Sequence, residues 1–246
     1  MLLIHRSERA DPLVAALGEV LATPSDDPFA PELVAVPSMG VERWLAQRLS
    51  HRLGAIDDDG VCANVLFPSS SKLLDNAIAA ADASYAASVE AWSAERAVWP
   101  LMTIIDQHAP TAPWAGALAV HLGLQPGGTD RGRRFAVASK LARHFASYTR
   151  ARPAMLRAWQ RNHDEQGDGT RLPDDIAWQA ELWRLLRGEL GASPAELLDD
   201  ACQRLRDGPT QLDLPQRLSI FGATRISPTR IAVLDALSDH HEIHLW

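Results

Sequence analysis

Nine histidines, two cysteines and a scatter of serines and carboxylates are the side chains of this sequence that could serve as ligand, base or nucleophile. Cys62 and Cys202 lie far apart with no second pair, which excludes a CxxC zinc site and a disulfide-stapled scaffold. His240, His241 and His244 come closest to a ligand set. In an extended segment over 242–246, however, His244 shares a face with Glu242 while His241 points away, so packed or surface imidazoles are the better reading. His5 and His144 stand isolated. No GxSxG surrounds a serine, and the pairs Asp26–Asp27 and Asp174–Asp175 fall where loops and helix caps belong. No catalytic residue and no metal ligand is assigned.

The one loop in a position to cradle phosphate is VPSMGVERWL, beginning at Val36. A nucleotide loop needs GxxxxGK[ST], with glycines for close backbone approach, a lysine on the phosphates and a hydroxyl on magnesium. Gly40 fits the second glycine, but no first glycine precedes it, and Val41 and Glu42 stand in place of the lysine and hydroxyl. A carboxylate beside a triphosphate repels it, and the later run LSIFG (218–222) ends in no acidic residue for magnesium. Nucleotide hydrolysis by this chain is not expected.

Charge is the stronger signal. The chain carries a net −7, yet residues 131–161 hold nine basic residues and no Asp or Glu. These are Arg131, Arg133, Arg134, Lys140, Arg143, Arg150, Arg152, Arg157 and Arg161. The rest of the chain is left at −16. A block of one sign inside a chain of the other suits a nucleic-acid track or an acidic partner surface. The plainer alternative is a solvated helix face paired with Asp57–Asp59 or with Asp164–Asp175. Trp159, inside the block, is a candidate for stacking a base. Trp44, Trp92, Trp99, Trp178 and Trp183 are spaced like helix core residues.

The elements that position these groups read as follows. LLIH (2–5) is a short buried strand, Ser7 a cap for the helix striped by Leu13, Leu17, Val20 and Leu21, and 24–31 a turn-rich connector. Leu33–Val36 is a second strand, 37–40 a turn, and 41–53 a helix burying Trp44, Leu45 and Leu49, stopped by Gly54. Residues 57–60 are a loop, Val61–Phe67 a third strand, and Ser69 or Ser70 caps a helix to Ala80. From 82 to 206 no strand is expected. The helices there are 98–107, broken at Pro100; 135–148, with Phe135, Ala138, Leu141, Ala142 and Phe145 inward; 153–160; 176–190; and 194–205, capped by Ser193. Loops run over 110–113 and 126–131, and a polar, mobile loop over 162–175. Leu218–Phe221 is a strand, Ser227–Pro228 opens a helix to Leu237, and Glu242–Trp246 is a last strand, an ending that points to a piece of something longer.

The pattern is that of an α/β fold with a parallel sheet, interrupted by an all-helical subdomain. The expected boundaries are 1–81 with 215–246 for the α/β domain and 82–214 for the insertion. Composition (46% hydrophobic, 22% charged) is that of a folded chain. No run reaches membrane-span length and the start carries no apolar leader, so a cytoplasmic protein with no membrane partner is expected.

Five segments together are specific: VPSMGVERWLAQRLSHRLG (36–54), ANVLFPSS (63–70), RRFAVASKLARHFASYTRARPAMLRAWQ (133–160), AWQAELW (177–183) and LSIFGATRISPTRIAVLDALSDHHEIHL (218–245). In this order they resemble the N-terminal region of the gamma chain of exodeoxyribonuclease V, the RecC family. The resemblance implies a superfamily-1 helicase-like domain that has lost its ATPase motifs, with Gly40, Val41 and Glu42 a relic of the phosphate site. It implies a non-catalytic subunit of the RecBCD helicase–nuclease in double-strand-break recombination, with RecB-like and RecD-like partner subunits that use ATP and Mg²⁺. It also implies single-stranded and forked double-stranded DNA as ligands, and support of Chi recognition by the full-length subunit. The candidate DNA contacts are Arg131, Arg133, Arg134, Lys140, Arg143, Arg150, Arg152 and Arg157, with Ser38, Gly40, Arg43, Ser69 and Ser70 at the carboxyl edge of the sheet, where such folds bind ligands. The alternatives are a purely structural subunit-binding module, which arginine suits equally, and an active helicase or nuclease fragment, against which the missing lysine and acids speak.

Overall fold

A computed structural model describes every residue except 24–26, 28, 55–59, 126, 128–131, 209–211 and 213. The connector at 24–31 and the loops at 57–60 and 126–131 therefore lie largely outside the described residues, as do Asp26, Asp57–Asp59 and Arg131. Packing divides the chain into two compact units: Met1–Ala81, Cys202–Ile226 and Arg230–Trp246 in one, Asp82–Ala201 with Ser227–Thr229 in the other.

The first unit is built on five parallel strands: β1 (Leu2–Ile4), β2 (Glu32–Ala35), β3 (Val65–Leu66), β4 (Arg217–Ile220) and β5 (Glu242–Leu245), in the order β1-β5-β4-β2-β3. Parallel neighbours cannot be joined by tight turns, so each of the first four strands is followed by a helix. These are α1 (Ala10–Ala22), α2 (Met39–Ser50), α3 (Ser70–Ala81) and, after β4, α11 (Pro228–Leu237). Leu17 and Val14 of α1, Leu45 and Leu49 of α2, Val34 and Val36, Phe221 and Trp246 form one buried cluster.

Local chemistry moves several expected boundaries. β1 is an edge strand and leaves Ile4 67% exposed, so it is not the fully buried strand its composition implies. Ser7 does not cap α1: its Oγ accepts from the Arg9 amide at 3.2 Å, and the helix starts at Ala10 without a side-chain cap. Ser38 accepts from the Val41 amide at 3.4 Å, so α2 begins at Met39, inside the expected turn. Trp44 is only half-buried, under the Arg48 guanidinium. The third strand is reduced to two residues because Asn64 is left-handed (φ 56°), with its side-chain amide donating to the carbonyls of Phe29 and Ala30 at 3.3 and 3.0 Å.

The second unit is helical: α4 (Ala83–Ala91), α5 (Ala94–His108), α6 (Gly116–Leu122), α7 (Arg134–Ala151), α8 (Pro153–Gln160), α9 (Trp178–Leu190) and the start of α10 (Pro194–Arg206). Among its described residues there is no strand, only an isolated bridge between Glu165 and Arg171. Pro100 does not break α5. The missing N–H costs one hydrogen bond, but Ala97, Val98, Leu101, Ile104 and Ile105 are all buried, and their burial carries the helix through. The core centres on Trp183, which lies 5.6 Å from Trp92 and edge-on to Trp159 at 6.1 Å, ring centre to ring centre. Ser193 precedes α10 as expected, but its Oγ is buried with no hydrogen-bond partner among the described residues. The end is instead secured by Glu196, whose carboxylate accepts from the Ser193 amide at 2.7 Å and pairs with Arg187.

The polar stretch 162–175 is fastened to the unit. The Trp159 indole N–H donates to the Glu165 carbonyl at 3.1 Å, and Asp164 pairs with Arg184 at 2.8 Å. Gly167 has φ 95°, and a Cβ there would meet the Met155 nitrogen at 2.5 Å, so no other residue fits.

Candidate nucleic-acid interface

In the first unit, β2 is followed by a helix leading outward to β3, and β4 by a helix leading the opposite way to β5. The loops after β2 and β4 therefore diverge, and in an open parallel sheet the crevice between them is where ligands bind. A cleft of about 210 Å³ lies there. Pro37 follows β2, Ser69, Ser70 and Ser71 open α3, and Gly222 to Ile226 follow β4, with Arg230 rising from α11. No acidic residue lines it among the described residues. Arg230 donates to Ser71 Oγ at 2.6 Å, tying α11 to α3, while Arg225 is exposed on the loop. Gly222 is left-handed (φ 74°), and its amide donates to the Trp246 carbonyl.

Ser69 and Ser70 thus line the cleft. Ser38 caps α2, with Gly40, Val41 and Glu42 in or just after its first turn and Arg43 exposed beyond them. Among the described residues nothing crowds position 40: outside its own helix backbone and chain neighbours, an added Cβ would meet Ser38 Oγ at 3.7 Å, an ordinary contact. Arg225, Arg230, Ser71 and Thr224 escaped the sequence reading. Their signal in the sequence is the pair of arginines in GATRISPTR (222–230), which overlaps the end of the acid-free run LSIFG.

The isolated His5 also finds a partner at this edge. Its Nε2 is 2.9 Å from His244 Nδ1, and His244 Nε2 is 3.0 Å from Glu242. The two imidazoles lie edge to edge and nearly coplanar, with the Trp246 ring stacked 3.7 Å from His5. Partial burial of His5 first, and its electrostatic interaction with His244 second, hold the His5 imidazole below its ordinary range. Among the described residues no group of three His, Cys, Asp or Glu is placed to hold a metal ion.

In the second unit the basic block falls mainly on α7, an 18-residue helix about 27 Å long. Its buried residues are Ala138, Leu141, Ala142, Phe145 and Thr149. Arg133 at the N-cap and Lys140, Arg143 and Arg150 beyond it are exposed, and none makes an ion pair among the described residues. Arg134 pairs with Asp106 at 2.9 Å, and Arg157 is bound at 3.3 Å to Asp199 and to the Ala195 carbonyl. Arg152 and Arg161 flank α8 and are exposed. Of the acids at 164–175, Asp164 pairs with Arg184 and Asp174 with Arg171, and none pairs with a basic residue of α7 among the described residues. Trp159 is 1% exposed and cannot stack a base. Trp99 and Phe135, expected inside, are 62% and 54% exposed.

No helix among the described residues is long and apolar enough to cross a membrane. Over residues 2–246 the chain matches the family described as RecC, N-terminal domain. It is 46% identical to the RecBCD enzyme subunit RecC of Mycobacterium tuberculosis (strain ATCC 25618 / H37Rv), with 99% of this chain and 22% of that protein aligned. Against the protein of the same name from Mycolicibacterium smegmatis the identity is 44%, covering 99% and 21%. Against that of Escherichia coli (strain K12) it is 29%, covering 100% and 21%. The chain spans about a fifth of the length of these curated relatives.

Proposed function

The chain belongs to the RecC family, and from that membership we propose that it is a non-catalytic, DNA-handling scaffold region of a RecBCD-type helicase–nuclease acting in double-strand-break repair. Its partners are RecB-like and RecD-like subunits, which use ATP and Mg²⁺, and single-stranded or forked DNA. The observation that carries this reading is the solvent face of α7: four exposed cations on an acid-free stretch of a chain that is acidic overall. A polyanion gains from such a face by releasing counterions, and the gain is independent of base sequence. Within the full-length subunit this region lines the path of an unwound strand and supports Chi recognition.

The α/β unit is read as a helicase-like domain interrupted by a helical insertion, with its nucleotide site degenerate. Val41 in place of the phosphate lysine and Glu42 in place of the magnesium-binding hydroxyl leave nothing to hold a triphosphate at the turn after β2. The neighbouring cleft retains Ser69, Ser70, Arg225 and Arg230, donors suited to a single phosphodiester.

The test is anisotropy of labelled single-stranded, duplex and forked DNA across a salt series. Binding should weaken with salt, and Arg143→Gln with Arg150→Gln should lower the slope of log K against log salt by about 1.4 on single strands. No binding at low salt would refute autonomous DNA handling and leave subunit scaffolding as the role of α7.

A further inference from the structure

Two large aromatic side chains stand in solvent on the same surface of the helical unit. Trp99 of α5 and Phe135 of α7 lean on one another with ring centres 5.9 Å apart and planes at 48°. Both are more than half exposed, while the core beside them is already closed by Leu101, Ala138 and Ala142. Burial does not explain their size: the first buried residue of α7 is Ala138, one turn beyond Phe135. On a helix of 3.6 residues per turn, Phe135, Arg150, Arg143 and Lys140 fall within about 140° of circumference. The aromatic pair is thus the N-terminal end of the cationic face.

We propose that Trp99 and Phe135 form a base-stacking platform for single-stranded DNA, with the backbone of the strand running from the pair along α7 past Lys140, Arg143 and Arg150. This rests on the reading of α7 as a DNA track and adds to it the groups that bind bases. Single strands are held by positive charge that follows the backbone together with aromatic faces that accept any base. α7 supplies the first and the Trp99–Phe135 pair the second. Charge also sets the direction. On α5, Glu95 stands one turn before Trp99, and Asp106 is neutralised by Arg134, so an anionic backbone is drawn along α7 rather than along α5. The charge complementarity favours a nucleic acid over an apolar protein segment, which would leave these cations unsatisfied.

The experiment compares a labelled oligothymidylate with an oligonucleotide of the same length made of abasic sites. The wild-type chain should bind the thymidylate more tightly. Trp99→Ala with Phe135→Ala should lower that affinity about tenfold or more, leaving the abasic affinity and the salt slope unchanged. Trp99→Phe with Phe135→Tyr should restore it, whereas Trp99→Leu with Phe135→Leu, which keeps apolar bulk without a π face, should not. Equal binding of the two oligonucleotides by the wild type overturns the proposal, as does a double alanine variant that binds like the wild type. If Arg143→Gln with Arg150→Gln weakens binding in that last case, the DNA track stands and only the platform falls. Absence of any binding refutes both. Self-association that disappears in the double alanine variant, without loss of DNA affinity, would assign the pair to a protein interface and overturn the platform.

Discussion

The α/β unit assembles its candidate surface from pieces distant in sequence: Pro37, Ser69 to Ser71, Arg225 and Arg230 come together only because parallel strands place their loops at one edge. The helical unit puts its candidate surface on eighteen consecutive residues of α7. The first surface exists only if the sheet order is right. The second exists wherever α7 is helical and packed on one side. A charged face carried by one helix tolerates change around it, whereas a cleft made by four segments transmits any shift of a strand to its donors.

The sharpest contrast lies inside the helical unit, between its centre and its face. Trp183→Ala removes a fully buried indole packed on Trp92 and Trp159 and should cost about 3–5 kcal/mol, read by urea denaturation followed by circular dichroism. Phe135→Ala in the same assay should stay within about 0.5 kcal/mol, as surface changes do. A large loss at Phe135 would mean that the pair holds the fold together and would erase the distinction between core and face.

The α/β unit should respond to pH through His5. Its depressed folded-state value favours neutral imidazole, so the stabilisation it contributes is present above the ordinary value of about 6.5 and is lost as pH falls through the lower folded value. Thermal midpoints between pH 8 and 5 should therefore drop on the acid side, and His5→Gln should flatten that limb. An unchanged limb would show that the edge-to-edge pair with His244 is not linked to folding.

The smallest effect separates two roles at the start of α10. Ser193→Ala should be close to neutral, because the hydroxyl it removes is buried with no partner among the described residues, whereas Glu196→Ala should cost about 1 kcal/mol by freeing the Ser193 amide and Arg187. Thermal shifts of the two variants side by side decide it.

Much of the fold was legible because apolar runs and helix periods are local. The strands around Leu33–Val36, Leu218–Phe221 and Glu242–Trp246, and α8 to the residue, follow from the sequence. The failures are places where a single residue or a neighbour decides. Asn64 turns the chain left-handed and cuts the third strand short, and packing carries α5 past Pro100. Of the surfaces, the basic block could be read directly, since charge along one helix is visible in one dimension. Its aromatic component could not. Trp159 lies within the block yet points into the core, while Trp99 and Phe135 have helical core spacing yet stand outside it. Arg225 and Arg230 required the strand order, which sequence pattern does not supply.

The pairing of Leu2 with Ile243 has a consequence for the order of events during synthesis. A ribosome releases β1, β2 and β3 first, but β1 has no neighbour until β5 emerges, and the β4 that must separate β5 from β2 arrives only shortly before it. The helices α4 to α9, which lie between them, have local partners and can condense while the sheet waits. Contacts spanning nearly the whole chain are the slowest to form. The nascent chain therefore carries unsatisfied strand edges until β5 has emerged, and the helical unit is the first part to become resistant to proteases.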